Sequence, residues 1–156
     1  MIKLEAIGTS ALVSAIVSGS ISYFSANLVD QASKARGARL EQIVRFTTST
    51  DTFLASANGY ITALAYNKDA KPLQEQLGAE VNKQFAESEK LKVFFSSPDV
   101  ARSVARYQDD LINFHRIIGT SKDATSIGIW TAQFGKVNDA RIELTEQLKK
   151  SAGVAL

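Results

Sequence analysis

From residue 38 onward, apolar positions recur at steps of three and four, the spacing that lines up one face of an α-helix. The first block, 38–66, sets Leu40, Ile43, Leu54, Ala57, Ile61 and Leu64 on one stripe. Asn67-Lys68-Asp69-Ala70-Lys71-Pro72 ends it, and Pro72 suits the first turn of a new helix. The second block, 72–96, carries Leu73, Leu77, Val81, Phe85, Ser88, Leu91 and Phe95. Ser97-Pro98-Asp99 then reads as a helix start, with a capping hydroxyl, proline at the first position and an acid facing the positive end of the dipole. A third helix over 98–118 aligns Val100, Val104, Tyr107, Leu111, Phe114 and Ile118. After a polar connection at 119–126, a fourth over 126–151 aligns Ile127, Trp130, Phe134, Val137, Leu144 and Leu148, with Arg141 interrupting the stripe. No block alternates as a strand does. The pattern predicts an all-α protein whose residues 38–156 form an antiparallel four-helix bundle.

The first thirty residues follow a different pattern. No charged side chain lies between Ala6 and Val29, and Glu5 and Asp30 mark the ends of this stretch. As a helix it would span about 36 Å, against a hydrocarbon core of about 30 Å. Its strongly apolar residues, among them Leu12, Val13, Ile16, Val17, Ile21, Phe24 and Leu28, supply roughly −3 to −5 kcal/mol on an insertion scale, opposed by several serines. Ser10, Ser14, Ser18 and Ser22 recur every four residues, and Ala11, Ala15 and Gly19 form a second row beside them. Such rows allow helix backbones to approach closely within a membrane, and serine hydroxyls can bond across the contact. The reading is a transmembrane anchor over 1–30 that packs through this face. A cleaved signal peptide and the central helix of a soluble domain are the competing readings. The first lacks a positive n-region, since Lys3 is offset by Glu5, and its apolar stretch would be too long.

Charge sharpens this picture only near residue 40. The chain has 156 residues, and its 18 basic and 16 acidic side chains leave a net charge of +2. Most of that excess lies in one cluster, Lys34, Arg36, Arg39 and Arg45, in and just after a juxtamembrane linker at 31–37 that can continue as helix through Gly37. The positive-inside rule then puts the bundle in the cytoplasm and the short N-terminus across the inner membrane. Anionic headgroups would add to the attraction. One local cluster is a poor footprint for nucleic acid, so none is expected as a partner.

Candidate chemistry is sparse. With no cysteine and a single histidine, His115, there is no metal set, and no metal or cofactor is expected. Asp109-Asp110 and Glu87-x-Glu89 are adjacent acids that diverge around a helix, and neither a nucleophile elbow nor a phosphate loop is present. The chain reads as a non-enzyme. The one polar anomaly inside the bundle is the hydroxyl-rich run from Thr47 to Thr52, where Thr47 and Thr50 fall towards the core. Their hydroxyls either bond their own helix carbonyls or, with Trp130 and Arg141, line a polar pocket.

The layout broadly resembles bacterial membrane-tethered helical proteins. Transmembrane chemoreceptors also carry four-helix sensory bundles, bracketed there by two spans. Holin-like phage proteins and signal anchors share weakly apolar segments rich in Ser, Gly and Ala, like residues 1–30 here. The resemblance implies a membrane protein working by self-association or by contact with another membrane protein and with membrane lipid. A holin-like oligomeric pore and a small-ligand sensor are the alternatives.

Overall fold

A computed structural model of the chain describes residues 34–121 and 123–154. The uncharged stretch and its small-residue face (Ser10, Ala11, Ser14, Ala15, Ser18, Gly19 and Ser22) lie outside the described residues. Four helices follow one another: α1 (Lys34–Ala65), α2 (Lys71–Phe94), α3 (Pro98–Thr120) and α4 (Ile127–Ser151), the last preceded by a 3-10 turn at Ala124–Ser126. No strand occurs among the described residues, so the described part of the chain is all-α. Among them, no helix is long and apolar enough to cross a membrane.

Local chemistry accounts for the ends of these helices. Asn67 takes a positive φ of 49°, and the Asn67 and Lys68 amides bond back to Leu64 O and Ala63 O at 3.2 and 2.9 Å. This is a Schellman closure with asparagine in the left-handed position. Gly153, at φ 68°, closes α4 in the same way, through Gly153 N to Lys150 O and Val154 N to Lys149 O. Val154 packs against the core as the apolar residue that this motif favours. Proline opens both α2 and α3. Ser97 stands at the N-cap of α3 in extended conformation, but its hydroxyl makes no capping bond. Asp123 caps the 3-10 turn by accepting from Thr125 N at 2.9 Å. α1 runs unbroken through Gly37.

Bonds between helices fix the directions. Arg39 Nε donates to Phe94 O (3.1 Å), and Gln84 Nε2 to Ser49 Oγ (2.6 Å), so α1 and α2 run oppositely. Gln74 Nε2 reaches Ile118 O at 2.6 Å and Gln108 Nε2 reaches Ser88 Oγ at 3.0 Å, which makes α3 antiparallel to α2. Arg106 pairs with Glu143, and Gln133 Nε2 donates to Asp110 O at 3.2 Å between α3 and α4. Ring contacts Phe53–Phe134 and Tyr60–Trp130 close the cycle from α1 to α4. The seams within the hairpins α1/α2 and α3/α4 are dense, whereas the closing seam between α1 and α4 is the thinnest of the four.

The core residues share one rule. α1 turns inward Ile43, Phe46, Thr50, Phe53, Ala57, Tyr60 and Leu64, in steps that alternate between three and four. α2 presents Leu77, Val81, Gln84, Ser88, Leu91 and Phe95, and α4 presents Trp130, Phe134, Val137, Arg141, Leu144 and Leu148, at the same spacing. This is the heptad pattern of left-handed bundle packing. Phe46, Phe53 and Tyr60, absent from the stripe read off the sequence, are among the largest fully buried side chains.

Candidate functional site: a polar level across the bundle

The antiparallel register stacks the heptad positions into levels. Nearest the start of α1 lie Leu40, Phe95, Val100 and Leu148, then Ile43, Leu91, Val104 and Leu144. The next level is polar on three helices, Ser88, Tyr107 and Arg141, with the Phe46 ring of α1 edge-on to Tyr107 at 5.7 Å, and Thr50 meets Gln84 one step further along; all of these are buried. Gln84, fully buried, ties these two levels together. Its Oε1 accepts from Tyr107 Oη (3.0 Å) and lies 3.2 Å from Thr50 Oγ1, whose proton is shared with Phe46 O at 2.8 Å. Its Nε2 donates to Ser49 Oγ. The amide therefore meets partners on both α1 and α3, as a buried amide must to offset its desolvation. At the α2–α3 seam, Ser88 Oγ donates to Phe85 O (2.7 Å) and accepts from Gln108, which also donates to Glu89 Oε1 at 2.7 Å. Lys92 and Gln108 hold the Glu89 carboxyl below its ordinary pKa.

Arg141 is the exceptional member. It is 8% exposed, and its Nε and Nη2 both donate to Asn138 Oδ1, one turn back on α4, at 3.1 and 2.9 Å. Among the described residues, no carboxylate lies within the 4.0 Å that defines an ion pair with it. Burial lowers the pKa of the guanidinium, while Tyr107 and Asp51 act to raise it. In turn, burial raises the Asp51 carboxyl against the pull of Arg141, and burial lifts the Tyr107 hydroxyl well above its ordinary value. Asp51 belongs to the side of α1 that turns towards α4, one residue beyond Thr50.

The residues named from the sequence are distributed unevenly around this level. Arg141 belongs to it and Thr50 to the step beside it. Thr47 is half-buried and donates to Ile43 O on its own helix at 2.8 Å. Trp130 lies three turns of α4 away, in an aromatic cluster where it stacks on Phe134 at 4.9 Å and meets Phe114 edge-on at 5.2 Å. It is therefore separated from Arg141 rather than paired with it. In the basic cluster, Arg39 is committed to the C-terminal carbonyl of α2, and Arg45 pairs with Glu41 at 2.7 Å. Lys34 and Arg36 fall in the first turn of α1, and their side chains are outside the described residues. His115 is exposed beside Gly78, where a Cβ would lie 3.7 Å from its ring. Asp110 accepts from Gln133, and no group of acids and histidines among the described residues could hold a metal ion. An open groove of about 590 Å³ between α3 and α4 is lined by Arg102, Arg106 and Lys136, interleaved with Asp109, Asp110 and Asp139.

Ser88 lay on the stripe read off the sequence, whereas Gln84, Gln108 and Asn138 had not stood out. Their signal was available: each of these buried side chains on α2, α3 or α4 occupies, or adjoins, a heptad position. No protein-family model, curated protein or solved structure matches the chain.

Proposed function

We propose that the chain is a non-enzymatic, membrane-anchored helical bundle that acts by self-association or by binding another membrane protein. Residues 1–30 would be the anchor and the bundle would lie in the cytoplasm. The observation that carries this reading is the uncharged stretch Ala6–Val29, with its rows of Ser, Ala and Gly, followed at once by the basic cluster from Lys34 to Arg45. In support, α1 is already helical at Lys34, so the stretch leads into a bundle with a continuous hydrophobic core. Arg39 and Arg45 belong to the end of α1 from which that stretch departs.

Fractionation of cells producing the full chain tests the anchor. Recovery in the membrane fraction, resistant to carbonate, is expected; full recovery in the soluble fraction with residues 1–30 intact removes it. Cross-linking of Ser14→Leu/Ser18→Leu tests the packing face, and the expected result is loss of oligomer with helicity retained. An unchanged oligomer ladder assigns association to another surface. Ion leakage on expression would instead identify a pore.

A further inference from the structure

The thin α1–α4 seam and the state of Arg141 point to a ligand. A buried guanidinium ordinarily meets an anion, because leaving it unpaired in a low-dielectric interior is expensive. Here two of its N–H groups are spent on Asn138, which holds the head group back along its own helix. The ring pairs Phe53–Phe134 and Tyr60–Trp130 fix the α1–α4 register. By that register Asp51 comes level with Asn138, the position to which the Arg141 head group is drawn. Two opposite charges thus face each other across the sparsest seam of the bundle without forming an ion pair.

We propose that this seam binds a small zwitterion of the α-amino-acid class, with its carboxylate on the Arg141 guanidinium and its ammonium on the Asp51 carboxylate. A simple anion would satisfy Arg141 but meet repulsion from Asp51, and a simple cation would meet the converse. A neutral guest would leave both charges unpaired. Only a molecule carrying both signs completes both sides, and the planar guanidinium fork matches a carboxylate in bidentate fashion. Asn138 acts as a positioning residue that keeps the guanidinium from collapsing onto Asp51. The thinness of the seam gives an entry that does not require parting either dense hairpin. This inference is independent of the anchor, since it concerns α1 and α4 alone.

The test uses the full chain in detergent micelles, with thermal shift and titration calorimetry. The probes are the individual α-amino acids at millimolar concentration, with acetate and methylammonium as the two half-ligands. At least one amino acid should raise Tm in a saturable way, and neither half-ligand should match it. Asp51→Asn and Arg141→Gln should each weaken that binding by about tenfold or more. If Arg141→Gln fails to fold, Asp51→Asn decides alone, because that side chain is only partly buried. Three results each overturn the proposal: no amino acid shifts Tm, acetate binds as tightly as the best amino acid, or Asp51→Asn binds as the parent does.

Discussion

Two neighbouring stretches of the same core are built on opposite principles. Around Trp130, the rings of Phe53, Tyr60, Phe114 and Phe134 stack or meet edge-on at 4.9 to 6.5 Å, and stability there comes from buried area and ring geometry. Closer to the start of α1, the polar cluster of Thr50, Gln84, Ser88, Tyr107 and Arg141 buries hydroxyls, an amide and a guanidinium that must find partners one by one. The aromatic stretch tolerates approximate fit, whereas the polar level depends on complete hydrogen bonding. The difference shows where the chain accepts a penalty in stability, and the Arg141 side of that level is where its internal bonding is least complete.

The largest effect should come from cutting the aromatic stretch. Phe114→Ala removes a ring that touches Phe53, Trp130 and Phe134, and should lower unfolding free energy by about 3–5 kcal/mol. Urea titration followed by the fluorescence of Trp130, the sole tryptophan, reads it directly. A loss below that of the polar substitutions would reverse the comparison. Gln84→Ala should lose about 1–3 kcal/mol, because Tyr107 Oη and Ser49 Oγ are left buried without their partner. Replacing Ser49, Thr50, Gln84 and Tyr107 together by Ala, Val, Leu and Phe should recover most of that loss, since the hydroxyls that met the amide go with it. If the quadruple variant is as unstable as Gln84→Ala, the network contributes net stability of its own.

A smaller effect is expected at the far end. Tyr60→Phe deletes the hydroxyl that donates to Ser121 O at 2.8 Å and should lower stability by about 1 kcal/mol, measured by thermal unfolding. The smallest concerns pH. Burial holds the folded-state pKa of Asp51 above the ordinary 3.8, so the folded chain keeps that proton more readily than the unfolded chain. The associated stability is fully present below the ordinary value and is lost as pH rises through the window just above it. Without added ligand, Asp51→Asn should therefore raise Tm at about pH 7 and change it little at about pH 3.5. An equal shift at both would show that charge is not the cause.

Helical content was legible because amphipathic spacing is a local property, and both Pro72 and Pro98 sit in first turns as helix-opening prolines should. The inward positions of α3 were equally plain, since Val100, Val104, Tyr107, Leu111, Phe114 and Ile118 are all apolar or aromatic and all buried. α1 was harder. Thr50 breaks the run of apolar side chains, and the stripe drawn through Leu54 and Ile61 passed beside Phe46, Phe53 and Tyr60, although both rows turned inward. Gln84 was harder still, for an amide between Lys83 and Phe85 looks like surface until the Ser49 and Tyr107 hydroxyls meet it. Which polar groups share a level depends on the register between helices, and register is decided by all the levels together. Arg141 was visible as an interruption, but its distance from Trp130 and its confinement by Asn138 are properties of the folded α4.

Because most levels are interchangeable hydrophobics, sliding one helix by a heptad, about 10.5 Å, would leave nearly every apolar contact replaceable by another. The polar level removes that freedom, since a slipped α1 sets Ile43 or Ala57 against the Gln84 amide and strands its hydrogen bonds. It also lies off-centre, two levels from the end where α1 begins, so turning a helix end for end misaligns it as well. An off-centre polar cluster of Thr50, Gln84, Ser88, Tyr107 and Arg141 thus works as a key, permitting one alignment among many of nearly equal greasiness.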